Sequence, residues 1–386
     1  MESAEPRPKL IFLVTEDWYF WAHRLPQARA ARDAGFRVAV ATRVDRHGER
    51  IRSEGFELHP LGWRRGSVSL LGAAMAVFEI AQLYRRLRPD LVHHVSQKPI
   101  LIGSIAARLA GVRRIVNAFT GLGFLFAARG VNARLLRTAI LPVLKLASSS
   151  RSVRFLVENP DDRTTLERLG IGTGGRTILI RGSGVDLSRY AALPEPPADP
   201  VIVGCATRML RIKGVAQVVE AFARLRARGS TARLLLAGAP DSENPAAIPE
   251  AEIRAWAAVP DVEWIGHVED VRQVWARAHI AVLASQGGEG IPMSLMEAAA
   301  CGRPLVATDV PGCREIVKDG ETGLLAPPGN VEALADAIER LVRDADLRQR
   351  LGAAARARIA AGLDAATVGR ETLAVYNALL GRPCAG

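Results

Sequence analysis

The sequence predicts an α/β protein of two doubly wound, Rossmann-like domains facing across a cleft. Three observations predict it. The chain has 386 residues, too many for one ordinary core and enough for two. In each half, short apolar runs alternate with longer amphipathic stretches, the pattern of parallel strands joined by helical crossovers. Between the halves lies ALPEPPADP, residues 192–200, whose four prolines can continue neither a helix nor a central strand.

In the first half, the run at 9–15 suits a strand buried on both faces, and a helix over 25–34 is closed by Gly35. The next strand is expected at 36–42. Others follow at 91–95, 114–117, 153–157 and 177–180, with helices at 69–87 and 134–147 among the connections. GIGTGG at 170–175 fits no dinucleotide-binding frame after a strand and is read as a turn. After the proline-rich break, strands are expected at 201–205, 232–237, 262–265, 280–284, 305–307 and 323–325. The expected division is 1–191, a linker at 192–200, a second domain at 201–365, and a last segment at 366–386. Ligands of such folds bind at the C-terminal ends of the strands.

Composition narrows the function classes. Hydrophobic residues make up 49% and charged residues 24%, so the chain buries two cores. The longest stretch free of Asp, Glu, Lys, Arg and His is residues 115–128, 14 residues against the roughly 20 that a membrane span needs. The N-terminal MESAEPRPKL lacks the order of a signal peptide. Cys205, Cys301, Cys313 and Cys384 have neither metal-ligand nor disulfide-scaffold spacing, which suits a cytoplasmic location. The net charge of +11 is uneven: residues 1–195 carry 30 Lys+Arg and 17 Asp+Glu, and the rest carry 21 and 23. The basic half is expected to face an anion, a membrane surface or a phosphorylated acceptor, unless its arginines merely cover solvated faces. Nucleic acid is excluded as a partner, with 5% aromatic residues and no recognition motif.

The chemistry concentrates in two segments. EGIPMSLMEAAACGRPLVATDVPGCREIV spans 289–317. Glu289 follows the strand at 280–284 through the turn Gln286-Gly287-Gly288, and a helix is expected from Pro292 or Met293 to Ala300. The N–H groups of Gly290, Ile291 and Met293 then stand at a helix start that favours negative charge, such as a diphosphate. Glu297 lies two turns beyond Glu289 on a largely apolar helix, where a plain solvent-exposed role fits poorly. Two carboxylates so placed can accept bonds from vicinal hydroxyls at both ends of one extended polar molecule. The second segment is CATRMLRIKG at 205–214, directly after a strand. Arg208 offers a planar fork and Lys213 a point charge, a pair suited to a diphosphate whose charge grows as it departs.

Arg208 and Lys213-Gly214 together with Glu289-x7-Glu297 resemble the retaining nucleotide-sugar glycosyltransferases of family 4, which have the GT-B fold. The resemblance covers essentially the whole chain. It implies a nucleotide diphosphate sugar donor, UDP-linked, and a glycan acceptor in bacterial polysaccharide biosynthesis. Arg208 and Lys213 would bind the donor diphosphate without any metal or cofactor. Glu289 would bind the donor sugar near Gly290, Ile291, Pro292 and Met293, and Glu297 the ribose. Gly266, His267 and Val268 would contact the base. The last helix, near 367–380, would cross back onto the first domain.

The first half departs from the family. Its first loop is EDWYFWAHR at 16–24 instead of a Gly-Gly loop, and AFTGLG at 118–123 stands where many members carry a histidine. HHVSQKP at 93–99 and FTGLG at 119–123 are similar to the branch that extends undecaprenyl-diphosphate-linked sugars. That similarity makes His94 and Lys98 candidates for a lipid-linked acceptor or its phosphates; Asp17, Trp18, Arg24, Thr120 and Gly121, on the two loops, are candidates for the same acceptor. His94 equally fits a satisfied strand-end histidine, and Trp18, Phe20 and Trp21 equally fit core packing. The basic segments 69–88 and 129–154, the latter with Arg134, Arg137 and Lys145, are candidates for peripheral contact with an anionic membrane at its cytoplasmic face. Two other readings remain at this point: a sugar-nucleotide epimerase of the same fold and a non-catalytic sugar-binding protein.

Overall fold

The structure is a computed structural model that describes residues 7–63, 69–122, 131–197 and 199–383. Gly123, Arg129, the side chains of Arg134 and Arg137, and Cys384 lie outside the described residues. The chain divides into two compact units: residues 1–184 with 365–386, and residues 185–364.

In the first unit, the described strands are β1 Lys9–Glu16, β2 Arg37–Arg43, β3 Glu57–Pro60, β4 Leu91–Val95, β5 Ile115–Ala118, β6 Val153–Val157 and β7 Thr177–Leu179. They form one parallel sheet in the order β3-β2-β1-β4-β5-β6-β7. Runs such as Leu10–Val14 are apolar throughout because helices cover both faces of the sheet. β3 escaped the sequence reading because ELHP carries no apolar run; it pairs only with β2, at the sheet edge where Pro60 is tolerated. The 16–24 segment, read as a loop, contains the helix Asp17–His23. The helix Ala365–Leu380 belongs to this unit: Gly369 packs against the helix Leu25–Asp33, where a Cβ would stand 2.9 Å from the Ala30 Cβ.

The second unit has β8 Ile202–Ala206, β9 Arg233–Ala237, β10 Val262–Trp264, β11 Ile280–Leu283, β12 Leu305–Thr308 and β13 Gly323–Ala326. Their parallel order is β10-β9-β8-β11-β12-β13. The strand order reverses between β1 and β4 in the first unit and between β8 and β11 in the second, the switch points where such sheets open a ligand crevice.

The chain first passes between the units at Gly184 and Val185, upstream of the proline-rich segment that was expected to link them. That segment is built into the second unit. Arg303 donates from Nη2 to the Pro194 carbonyl at 2.7 Å, His279 Nε2 donates to the Pro197 carbonyl at 3.0 Å, and Arg348 pairs with Glu195 at 2.6 Å. Two of these side chains, Arg303 and His279, take carbonyls of the proline-rich chain, and Arg348 takes its Glu195 carboxylate.

A polar network lies inside the first unit. His94 is fully buried, with Nδ1 on Asn117 Oδ1 at 2.9 Å and Nε2 on the Tyr84 hydroxyl at 3.1 Å. Asn117 Oδ1 only accepts, so His94 carries its proton on Nδ1 and Tyr84 donates to Nε2. Burial pushes the His94 pKa down to about 4. The unfolded chain, with its histidines near 6.5, therefore takes up the proton first as the pH falls. We expect stability to decline from pH 6.5 toward pH 4 by up to about 3 kcal/mol through this group. Urea unfolding of wild type and His94→Asn across that range checks it: the variant should show the shallower dependence.

Candidate active site

The residues expected to bind a donor stand at the C-terminal edge of the second sheet, around its switch point. Arg208 and Lys213 follow β8, and Glu289 follows β11 after a turn in which Gly287 and Gly288 have φ of +102° and +84°. Lys213 and Glu289, both largely buried, form an ion pair. The other oxygen of Glu289 accepts from Ser285 Oγ at 2.6 Å. Ser285, fully buried at the end of the β11 segment, was missed in the sequence; its only signal was a polar residue closing an apolar run.

Two glycines allow this approach. Gly214 has φ +69°, and a Cβ there would stand 1.8 Å from the Ala284 carbonyl oxygen. Gly312, after β12, lies so close to Gly290 that a Cβ would stand 1.5 Å from its carbonyl oxygen. The loops that carry Lys213 and Glu289 are thus pressed together by backbone contact. The helix Met293–Ala300 follows with Pro292 at its N-cap position and no side chain capping it, which leaves its start open to an anion.

Glu297 lies on that helix, partly buried, and accepts a 2.8 Å bond from the Tyr190 hydroxyl. Burial pushes its pKa up to about 7, against the opposing pull of Tyr190 and Arg189. Tyr190 was invisible to the sequence reading, which placed residues up to 191 in the other domain. Arg208 donates to Asp241 at 2.9 Å, on the loop after β9. Next to it, the Gly238 N–H donates to the Gly266 carbonyl at 2.6 Å, which ties together the loops after β9 and β10. His267 is exposed and Val268 half-buried on the second of these loops. The sole Asp-x-Asp triplet of the sequence, Asp344-Ala345-Asp346, is a helix start in which Asp344 accepts the Leu347 N–H at 2.8 Å.

The acceptor-side candidates separate into two groups. Asp17 is fully buried, and its Oδ2 accepts the N–H groups of Asp45, Arg46 and His47 at 2.7–2.9 Å, which anchors the loop after β2. Arg24 is buried in a 3.1 Å ion pair with Glu158, and His94 is held inside the sheet as described. The structure thus gives these three structural partners, because a buried charge or imidazole must be bonded where it lies. Phe20 is core as well, packed edge-on between Phe12 and Phe56. Trp18, Lys98 and Thr120 remain half-buried around the first switch point, beside the buried Gly121. Thr120 bonds Ser96 at 3.2 Å, and Ser96 keeps φ +73°, a strained value for a side-chain-bearing residue. Burial pushes the Lys98 pKa down while nearby Glu16 opposes it.

Two parallel Rossmann-like domains, the second with a cation–carboxylate pair at its switch point, define a glycosyltransferase of the GT-B fold. The comparisons give the particular family. Residues 9–152 match the glycosyl transferase 4-like family and residues 200–344 the glycosyl transferases group 1, and the chain belongs to the glycosyltransferases that join these two domains. It is 26% identical to a Campylobacter jejuni N,N'-diacetylbacillosaminyl-diphospho-undecaprenol alpha-1,3-N-acetylgalactosaminyltransferase, over 85% of this chain and 88% of that protein. It is 24% identical to the capsular polysaccharide biosynthesis glycosyltransferase CapM of Staphylococcus aureus, over 87% and 89%. Among solved structures, the sucrose-phosphate synthase of Thermosynechococcus elongatus superposes with a TM-score of 0.81 at 21% identity, covering 97% of this chain and all of that one. The Anabaena protein HepE, in complex with UDP and glucose, gives 0.78 at 19%, covering 96% and 100%.

One consequence concerns Glu297. Its folded pKa lies above the ordinary carboxylate value, so the fold gives up stability as the pH rises from about 4.5 through 7. Glu297→Gln should therefore raise the unfolding free energy by up to about 3 kcal/mol at pH 8 and by almost nothing at pH 4. Urea titrations at both pH values check this.

Proposed function

We propose that this glycosyltransferase moves a sugar from UDP to a lipid-diphosphate-linked glycan, with retention at the anomeric carbon, at the cytoplasmic face of an anionic membrane. The observation that carries this reading is the group Lys213, Glu289 and Ser285 at the second switch point, with the open helix start beside it and Glu297 at its far end. The relatives lend support: one is named for an undecaprenol-diphosphate acceptor, another for capsular polysaccharide, and HepE was solved with UDP.

In this reading the donor diphosphate lies against Arg208, Lys213 and the first turn of the helix Met293–Ala300. Glu289 takes the sugar hydroxyls, Glu297 the ribose, and the loop of His267 and Val268 the base. The anomeric carbon–oxygen bond to the diphosphate breaks as the acceptor oxygen bonds to the same face. The acceptor proton passes to an oxygen of the departing diphosphate. Negative charge grows on that leaving group, and fixed cations stabilise it without a metal. Lys213 and Glu289 neutralise one another until the donor arrives, as do Arg208 and Asp241. The half-buried Trp18, Lys98 and Thr120 are the acceptor side. No helix among the described residues is long and apolar enough to cross a membrane, so the contact would be peripheral.

Arg208→Ala and Lys213→Ala should each cost about 1.5–3 kcal/mol in kcat/KM, part of it in kcat. Steady-state assays with a UDP-sugar panel measure it, and wild-type rates in both variants would move the site elsewhere. Activity should also survive excess EDTA. Complete loss that magnesium or manganese restores would refute the metal-free diphosphate grip.

A further inference from the structure

The exposed face of the helix Leu70–Leu87 is segregated along its axis. Leu71, Met75 and Phe78 are 70%, 60% and 60% exposed and form one stripe at helical spacing. Further along the same stripe come Gln82, Arg85 and Arg86, also exposed. The capping residue Ser69 and a buried face of Ala76, Ile80, Leu83 and Tyr84 fix the helix in place, so the stripe is held outward. The adjoining helices Gln97–Ala110 and Val131–Ser148 add Leu109 and Leu146, both more than half exposed.

At the basic end lies a cavity of about 550 Å³ lined by Arg85, Arg88, Arg113 and Arg114. It sits at the start of β4 and β5, the edge of the sheet opposite the switch-point loops. Arg85 donates to the Leu109 carbonyl at 2.8 Å, and none of the four arginines pairs with a carboxylate among the described residues. Surface arginines of the second unit behave otherwise: Arg224 and Arg228 are met by Glu220, Glu332, Asp336 and Glu339. Two helix C-termini end at the cavity and each brings roughly half a negative charge, and Asp90 brings one more. Four guanidiniums outweigh them and leave the cavity net positive. Asp90 is itself engaged, accepting the Lys9 N–H at 2.8 Å.

We propose that this surface docks on an anionic lipid membrane: Leu71, Met75 and Phe78 enter the acyl boundary, and the four-arginine cavity takes a lipid phosphate headgroup. The occupant follows from the juxtaposition. Guanidinium forks match phosphate oxygens, and an apolar stripe beside them suits a ligand that carries its phosphate at an apolar boundary. This rests on the proposed membrane-side function, although the surface belongs to the first unit and the proposed donor site to the second.

The test is co-sedimentation of the full chain with phosphatidylcholine vesicles, with and without phosphatidylglycerol. Wild type should bind only the anionic vesicles, and less as salt rises. Replacing Arg85, Arg88, Arg113 and Arg114 together by Gln should weaken binding by about two to three orders of magnitude. Leu71→Ser with Met75→Ser and Phe78→Ser should weaken it at least tenfold while leaving the charge intact. Every changed residue except Arg114 is exposed, and retention of the UDP-induced thermal shift reports that the variants are folded. Binding that ignores phosphatidylglycerol, absence of binding, or wild-type binding by either variant overturns the proposal. So does full displacement by millimolar inorganic phosphate at constant ionic strength, which would make the cavity a free-phosphate site. A wild type that binds anionic vesicles yet shows no thermal shift with UDP would sink the donor reading and leave this one standing.

Discussion

The contact of Gly214 with the Ala284 carbonyl sets how near the β8 and β11 loops come, and the Lys213–Glu289 pair depends on that distance. Lys213 precedes Gly214 by one residue, and Glu289 follows Ala284 by five. A side chain at position 214 would separate the loops and part a largely buried cation from its carboxylate, a costly state for both. Gly312 repeats the device on the other side, where it lets the Gly290 loop rest on the turn after β12. Polar chemistry thus collects where the sheet order reverses, because everywhere else helices seal the strands on both faces.

The charges around the second switch point are stored in pairs. Lys213 holds Glu289, Arg208 holds Asp241, and Tyr190 holds Glu297. In the proposed reaction a diphosphate and two sets of hydroxyls replace these partners, so binding exchanges contacts more than it creates them. Such an exchange makes affinity modest and leaves the cations in place for the charge that develops later. Burial raises the Glu297 pKa, while the Tyr190 hydroxyl that bonds it pulls the other way.

The first unit uses its polar residues differently. Asp17 collects three backbone N–H groups, Arg24 and Glu158 form a buried pair, and His94 links Tyr84 to Asn117. His93 reaches the Tyr376 hydroxyl at 2.5 Å, joining the last helix to the sheet of its own unit. These bonds rigidify the platform beneath the half-buried Trp18, Lys98 and Thr120. The bond to Tyr84 also ties the helix Leu70–Leu87 to the sheet, an orientation that the charge imbalance alone does not specify.

The sequence by itself determined the class of the molecule. The strands at 91–95 and 153–157 were legible to the residue although His93, His94 and Arg154 interrupt their apolar runs, since burial on both faces leaves little polar alternation. Arg208, Lys213, Glu289 and Glu297 were legible because they are local to strand ends and a helix start. Edge strand β3 was not, since ELHP holds no apolar run, and the helix Asp17–His23 was not, since seven residues are too few to show a helical period. Only the tertiary structure decided which polar residues are spoken for. Asp17 and His94 read as candidates for an acceptor until their partners, 28 and 23 residues away, came within bonding distance. Tyr190 and the proline-rich segment looked like the end of one domain and a linker until Glu297, Arg303, His279 and Arg348 reached them. Periodicity records what a residue does for its own element. Partnership across tens of residues is settled by packing, and no local pattern encodes it.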